Sequence, residues 1–168
     1  MASPEITLII PSSAQEWQAT HEILRDYQAS LDVSLDFQHF EAELADLPGA
    51  YAPPTGVILL ALIDGAVAGC GGFRNLPDAD DANACEMKRL FVRPVFRRFG
   101  LGRLLALDLI DRALVAGYSA VLLDTLDEME AARGLYASLG FEEVPPFYFN
   151  PLPGARYLRL DLNANHDR

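Results

Sequence analysis

The stretch Val95–Tyr118, "VFRRFGLGRLLALDLIDRALVAGY", decides the fold, because it joins a glycine-containing turn to an amphipathic helix. Two arginines and the closely spaced Gly100 and Gly102 open the stretch, and we predict a helix from about Leu101 to near Gly117. Glycines let the backbone approach a ligand, and the first amides of a helix favour an anion. The stretch therefore predicts an anion site at the start of this helix.

The charge of the chain is unevenly distributed. Residues 1–81 hold 13 Asp and Glu but two Arg, so the whole formal charge of −11 arises in the first half. In the second half, no acidic residue interrupts the basic residues Lys88, Arg89, Arg93, Arg97, Arg98 and Arg103. Nucleic acid requires a broad basic face, so this acidic chain argues against that partner. The compact basic segment suits a small anion, and an ordinary solvated charge run is the alternative.

Length and composition indicate a globular protein. The chain has 168 residues, 51% hydrophobic and 22% charged, and is predicted to form a single domain over residues 1–168. No apolar run approaches the ~20 residues that cross a bilayer, and the start "MASPEITLII" lacks the pattern of a secretory signal. We therefore expect a cytoplasmic protein without a membrane partner, in which Cys70 and Cys85 are reduced and buried.

Alternating and helical apolar patterns predict a mixed sheet flanked by helices, an α/β fold. Ser12 or Ser13 is expected to cap the first helix and Asp36 the second. The dipeptide Asp64-Gly65 is typical of a hairpin. Helices are predicted at about 14–30, 37–47, 101–117 and 128–140, and strands at 5–10, 56–63, 66–74, 85–92, 119–125, 141–144 and 155–162. The predicted order is β-α-α-β-β-β-α-β-α-β-β.

Three phosphate-binding motifs can be compared with "RRFGLGR", residues 97–103. A P-loop requires a Lys-Ser or Lys-Thr pair after its glycines, and none follows here. A dinucleotide fingerprint requires a third glycine where this chain has Leu105. The remaining pattern, R-x-x-G-x-G, is formed by Arg97, Gly100 and Gly102 between a predicted strand and a predicted helix. A pyrophosphate is the expected ligand of such a turn.

Together with a second motif, this pattern resembles the GNAT superfamily of acyl-CoA-dependent N-acetyltransferases. R-x-x-G-x-G matches the cofactor motif of that family, and "LYASLGF", residues 135–141, matches its L-Y-x-x-x-G-F signature. The match runs from Cys85 to Thr125 and continues from Ala132 to Phe141, whereas the N-terminal third matches only in element order. The resemblance implies a GNAT-like fold: a mostly antiparallel, twisted sheet of about seven strands, splayed between strands 4 and 5 and flanked by about four helices.

The resemblance also implies how acetyl-CoA binds as co-substrate. Backbone amides of residues 99–103, with Arg97 or Arg98, would hold its pyrophosphate, and strand residues 90–92 would pair with its pantetheine arm. The cofactor-binding residues so implied are Leu90, Phe91, Val92, Arg97, Arg98, Phe99, Gly100, Leu101, Gly102 and Arg103. Many relatives carry Asn where this chain has Met129, so that contact is absent or replaced. The isolated histidines lack metal-ligand spacing, so no metal is expected.

Two residues are expected to carry the proton transfers of an acetyltransferase. Tyr136 would stand beside the CoA sulfur and protonate the leaving thiolate, since a phenol stays protonated at neutral pH; packing on the apolar face of its helix is the alternative. Glu86 would accept the proton of the amine through water, and a surface carboxylate paired with Lys88 is the alternative. A backbone N–H near Leu90 or Phe91 would stabilise the oxyanion.

The expected acceptor is a small amine that is cationic or amino-acid-like. In the family, the N-terminal helices and the loop before the last strand shape the acceptor site, and here they carry carboxylates and aromatic rings suited to a cation. These residues are Asp26, Asp32, Asp36, Glu41, Glu43, Phe147, Tyr148 and Phe149. The alternatives are a catalytically silent acyl-CoA sensor, a protein lysine or N-terminal acetyltransferase, and an enzyme for a hydroxyl acceptor or another acyl donor. Homodimers are common in the family, and the sequence shows no interface.

Overall fold

The computed structural model describes residues 3–31, 39–77, 81, 83–126 and 129–163. In these residues seven strands form one sheet in the order β1-β2-β3-β4-β5-β7-β6. No helix in these ranges is both long and apolar enough to cross a bilayer. The strands are β1 (Ile6–Ile9), β2 (Val57–Ile63), β3 (Ala66–Asn75), β4 (Ala84–Val92), β5 (Ala120–Leu126), β6 (Glu142–Val144) and β7 (Ala155–Asp161). The helices are α1 (Ala14–Ser30), α2 (Phe40–Ala45), α3 (Leu101–Val115) and α4 (Glu130–Ser138), with 3₁₀ turns at Gly49–Tyr51 and Pro94–Phe99.

Local sequence signals account for most of these element ends, and the predicted element order is confirmed. The Ser13 hydroxyl accepts a hydrogen bond from the Glu16 amide at 3.1 Å, as part of the capping box that starts α1. Asp64 and Gly65 have φ of +49° and +86° and turn β2 into β3. The second helix is shorter than predicted, since α2 begins at Phe40. Its expected cap, Asp36, lies outside the described residues.

The sheet has a hydrophobic core on each face, and β2 contributes to both. On one face, Leu59 packs with Leu109 of α3. On the other face, Leu60 packs with Leu24 of α1 and Phe40 of α2. All five side chains are completely buried. Since helices cover both faces, a ligand has access where strands diverge and where helices begin.

A bulge interrupts the pairing between β3 and β4. Lys88 lies opposite Gly72, and Phe91 lies opposite Cys70, so β4 holds one more residue than β3 between these pairs. Arg89, inside the bulge, has φ of +63°, a conformation that is uncommon for a residue other than glycine. The bulge therefore redirects the side chains of β4 at this point, and strands often carry such bulges next to active sites.

On its other edge, β4 separates from β5 after a short parallel pairing. The register runs from Ala84 opposite Ala120 to Glu86 opposite Leu122 and ends there. The other strand pairs among the described residues are antiparallel. The predicted splay between strands 4 and 5 is therefore confirmed, and residues 87–92 present a backbone edge that β5 does not pair with.

Candidate active site

The divergence of β4 and β5 opens a cleft that we call the splay cleft. Both strands, α4 and the loop before β7 contribute to it. Its lining residues are Tyr27, Leu31, Met87, Lys88, Arg89, Leu90, Leu123, Asp124, Thr125, Leu126, Met129, Ala132, Tyr136, Asn150 and Leu152. Leu90 belongs to the predicted pantetheine strand and Tyr136 is the predicted acid, so the cleft brings two predicted site residues together. Met129, the departure from the family pattern, lies in the same cleft.

A second cleft, which we call the polar cleft, lies between α2, β3, β4 and the loop before β7. It is lined by His39, Ala42, Glu43, Asp46, Pro48, Gly49, Ala50, Tyr51, Arg74, Leu76, Glu86, Lys88, Phe147 and Tyr148. Two of the three aromatic residues predicted for the acceptor loop, Phe147 and Tyr148, belong to this lining. The third, Phe149, is 83% exposed and lies outside it. The polar cleft thus contains the charged side chains of Glu43, Asp46, Arg74, Glu86 and Lys88.

The two clefts meet at Lys88, which alone among the described residues lines both. Its side chain is largely buried in β4, just before the bulge. Burial lowers the pKa of Lys88 to about 8, against the attraction of the nearby Glu86 carboxylate. From the sequence, Lys88 is expected only as part of the basic segment and as an alternative partner for Glu86.

Glu86 lies in the polar cleft and is 1% exposed. Arg74, directly opposite on β3, donates to its Oε1 from Nη2 at 3.2 Å and from Nε at 3.3 Å. The interpretation of a surface carboxylate paired with Lys88 is therefore wrong, because the carboxylate is buried and forms its ion pair with Arg74. Its position facing the acceptor side keeps the role of base as a prediction.

Tyr136 packs its ring in the core and also lines the splay cleft. Its ring centroid lies 5.5 Å from that of Phe141, in an edge-to-face arrangement. Burial raises the pKa of the Tyr136 phenol above its ordinary value, so the hydroxyl is protonated throughout the neutral range. Packing and the role of acid are thus compatible, and the acid role stays a prediction.

The start of α3 presents its amides as the sequence predicts. Gly100 precedes the helix with φ of +71°, a left-handed conformation that glycine adopts at little cost. The amide of Leu104 donates to the Gly100 carbonyl at 3.2 Å, so the amides of Leu101, Gly102 and Arg103 precede the first intrahelical hydrogen bond. The predicted helix start at Leu101 is confirmed, and three consecutive N–H groups are oriented to receive an anion.

The arginines around this turn have different partners. Arg97 donates from Nε to the Val92 carbonyl at 3.1 Å, which fastens the end of β4 to the turn. Arg98 is exposed, and its guanidinium lies 4.6 Å from the ring centroid of Phe99. Arg103 donates to the Ser138 hydroxyl at 2.9 Å, and this hydrogen bond links the start of α3 to the end of α4. Arg98 is therefore the better placed of the two predicted arginines for a soluble anion.

Acidic residues of the N-terminal half neutralise much of the basic segment. Arg89 binds Glu43 of α2, with Nε and Oε2 2.9 Å apart, and Arg93 binds Asp26 of α1 at 2.8 Å. The carboxylates predicted to attract a cationic acceptor thus already have partners, as does Glu41, which pairs with Arg25 at 3.3 Å. Asp32 and Asp36 lie outside the described residues. The ion pairs Glu43–Arg89 and Asp26–Arg93 therefore connect the acidic first half of the chain to the basic segment of the second half.

The loop before β7 is anchored at the splay by Asp124 of β5. The Tyr148 hydroxyl and the Asn150 side-chain amide both donate to Asp124 Oδ2, the latter at 2.7 Å. Asp124, like Lys88 and Arg74, lines or anchors the clefts and was not expected there from the sequence. The available signal was a charged residue within an otherwise apolar predicted strand, because a buried charge requires a partner or a function.

The two cysteines are core residues, as predicted. Both are completely buried, and Cys70 donates from Sγ to the Arg89 carbonyl at 3.3 Å. Burial raises the pKa of each thiol to about 12, so neither is a reactive thiolate at neutral pH. The described residues contain no group of three or more His, Cys, Asp or Glu arranged to hold a metal ion.

A family comparison agrees with this architecture. The model of the acetyltransferase (GNAT) family matches residues 17–141. The chain belongs to the GNAT acetyltransferase family. The resemblance stated from the two motifs is confirmed, and so is the GNAT-like fold. The match to the family model also includes residues of the N-terminal third, which contains neither of the two motifs.

Individual relatives of this GNAT chain come from bacteria and eukaryotes. An uncharacterized N-acetyltransferase of Schizosaccharomyces pombe is 37% identical over 142 residues, which cover 84% of this chain and 85% of that protein. The N-acetylaspartate synthetase of Danio rerio is 34% identical over 113 residues, which cover 67% of this chain and 39% of that longer protein. The solved structure of yncA from Salmonella typhimurium, with its cofactor acetyl-CoA, has a TM-score of 0.68 at 22% identity and covers 94% of both chains.

Proposed function

We propose that this chain transfers an acetyl group from acetyl-CoA to the amine of a small acceptor. The observation that carries the proposal is the placement of Tyr136 in a cleft that the unpaired edge of β4 shares. The same strand leads, through the turn at Pro94–Phe99, to the amides at the start of α3. Membership of the GNAT family and the acetyl-CoA in the yncA structure support the cofactor.

The residues at the start of α3 fit the pyrophosphate of CoA. A Cβ placed on Gly100 would meet no atom within 4 Å, and one on Gly102 would come no closer than 3.6 Å to Leu135. The backbone there is therefore open to a ligand. The three amides at 101–103 and the Arg98 guanidinium would hold the diphosphate, while the edge of residues 90–92 would pair with the pantetheine arm.

The reaction needs one proton acceptor and one proton donor. Acetyl-CoA supplies the acetyl group as a thioester. Glu86, held by Arg74, takes a proton from the acceptor ammonium through water, and the amine nitrogen then bonds to the acetyl carbon. The carbon–sulfur bond breaks and Tyr136 gives its proton to the sulfur, while the acylated nitrogen loses its second proton, which passes through water and restores the Tyr136 hydroxyl. A backbone N–H near Leu90 or Phe91 stabilises the oxyanion.

The acceptor side favours a small, amino-acid-like amine over a simple cation. The three described carboxylates that would have attracted a cation each bind an arginine. The polar cleft contains two cations, Arg74 and Lys88, beside the carboxylates of Glu43, Asp46 and Glu86. A relative named for the synthesis of N-acetylaspartate supports an amino-acid-like acceptor, although this chain spans less than half of that protein.

The proposal is tested by titration calorimetry with acetyl-CoA, followed by assay of CoA release. The acceptor panel contains the common amino acids, their amides, polyamines and peptides with a free N-terminus or lysine. We expect saturable binding of acetyl-CoA and faster turnover of small amines than of peptides. Binding without turnover of any amine would instead support the acyl-CoA sensor, and turnover of peptides alone would support a protein acetyltransferase. A failure to bind acetyl-CoA overturns the proposal.

Gly102→Asp tests the pyrophosphate site. A carboxylate among the amides at 101–103 repels the diphosphate, so we expect acetyl-CoA to bind at least ~10-fold more weakly in calorimetry. The fold should be retained, because a negative charge in the first turn of a helix is favourable. Gly102→Ala is the matched control, since its Cβ would meet Leu135 and Val92 at ordinary distances of 3.6 and 3.9 Å. Wild-type affinity in the Asp variant contradicts the placement.

A further inference from the structure

Lys88 is a buried cation that has no direct partner among the described residues. Its side chain is 7% exposed, in the sheet strand where the two clefts meet. No hydrogen bond or ion pair joins its ammonium to another described residue. The neighbouring Arg89, by contrast, binds Glu43, and the facing Arg74 binds Glu86. Lys88 is therefore the basic group of this region that is left to bind a ligand.

A buried charge is costly to leave uncompensated, so its surroundings indicate what it binds. The ammonium offers three N–H donors and no acceptor. A carboxylate supplies both the opposite charge and the hydrogen-bond acceptors, and such charge-assisted pairs are stronger than neutral hydrogen bonds. The polar cleft is open to a small molecule at this point, since Lys88 also lines it.

The position of Lys88 restricts where the anionic group of the acceptor lies. In the proposed function, on which this inference rests, the reacting amine stands between Tyr136 in the splay cleft and Glu86 in the polar cleft. Lys88 occupies the junction of the same two clefts. A carboxylate bound to Lys88 would then lie close to the amine, and the α-carboxylate of an amino acid, whose carbon is two bonds from the nitrogen, meets this requirement. We infer that Lys88 binds the α-carboxylate of an amino-acid acceptor and so determines the specificity of the enzyme.

The charges that face Lys88 set how this recognition depends on pH. They are Glu86 and Arg89 on β4, Arg74 on β3 and Asp124 on β5, and burial outweighs them to place the pKa of Lys88 at about 8. The ammonium is thus present below pH 8 and is lost above it. Since kcat/KM reports the free enzyme, preference for a carboxylate-bearing acceptor should decline as the pH rises through 8.

The experiment compares each accepted amino acid with its own α-amide, using the wild type, Lys88→Met and Lys88→Arg. We expect the wild type to prefer the acid, and Lys88→Met to lower the acid-to-amide ratio of kcat/KM on the order of 10- to 100-fold. Lys88→Arg keeps a cation, so it should retain most of the preference. Because arginine stays charged, this variant should also lose the decline above pH 8. The protonation of the acceptor amine affects the wild type and Lys88→Arg equally, since both act on the same compound, so it does not contribute to the difference between their pH profiles.

The possible results separate this inference from the proposed function. Thermal shift with the same amino acids on the CoA-loaded protein gives a readout that needs no turnover. If no amine is acetylated, the proposed function fails, yet an acid-specific shift that disappears in Lys88→Met still supports the inference. It is overturned if amides are used or bound as well as acids, or if Lys88→Met lowers both equally. Lys88→Met replaces a buried charge by a side chain of similar length, so this variant should fold. Calorimetry with acetyl-CoA checks that each variant is folded.

Discussion

Replacing Tyr136 by phenylalanine is expected to lower kcat about 10²- to 10⁴-fold, the usual contribution of a positioned proton donor. The ring and its contact with Phe141 remain in this variant, so the packing of α4 is kept. The splay cleft then lacks the hydroxyl that we propose protonates the leaving sulfur. Affinity for acetyl-CoA should be nearly unchanged, since the proposed pyrophosphate site at the start of α3 is not altered. Steady-state kinetics and calorimetry on the same preparation measure both quantities.

Two further variants make the Tyr136 result specific. Tyr118→Phe removes another buried phenol, which donates to the Thr55 carbonyl outside both clefts, and reports the general effect of such a loss. Glu86→Gln removes the proposed proton acceptor and should also reduce kcat, most strongly at low pH, where fewer acceptor amines are already neutral. If Tyr136→Phe has the same kcat as Tyr118→Phe, Tyr136 is not the proton donor and contributes only to packing.

Much of the fold is predictable from the sequence because its signals are local. The cap at Ser13, the turn at Asp64-Gly65 and the glycine before α3 each set the backbone through adjacent residues. The splay between β4 and β5 was expected only from the family resemblance, since no local pattern shows where two strands stop pairing. The turn and the start of α3 at Leu101 follow from the glycines themselves, whereas the binding of a pyrophosphate by the amides there stays a prediction.

The charged part of the site could not be predicted in the same way. Lys88 and Arg89 are adjacent and carry the same charge. Lys88 has no ion pair with another described residue, whereas Arg89 is bound to Glu43. Successive residues of a strand face opposite sides, and the bulge at Arg89 alters this alternation. Which side chain meets a carboxylate then depends on where α2 packs, and contacts across 46 residues have no local signal.

The Glu43–Arg89 ion pair is expected to be the largest single polar contribution to stability. Arg89 has 2% of its side chain exposed and Glu43 has 12%, and the guanidinium also lies 5.1 Å from the ring centroid of Phe40. Glu43→Ala removes one carboxylate from this buried guanidinium, and breaking such a buried pair costs about 3–5 kcal/mol. We expect the free energy of unfolding, measured by denaturant titration, to fall by this amount.

Glu41→Ala is the matched control for this prediction. It lies on the same helix, two residues away, and its ion pair with Arg25 has 61% and 58% of the two side chains exposed, so its removal should cost about 0–1 kcal/mol. Both variants replace a glutamate of α2 by alanine, so they change helix propensity and net charge equally. The difference between their free energies of unfolding therefore measures the effect of burial on the ion pair. Similar losses would mean that the guanidinium of Arg89 is satisfied without Glu43. A large difference would show that α2 is held to the β4 bulge, and hence beside Lys88, mainly by this pair.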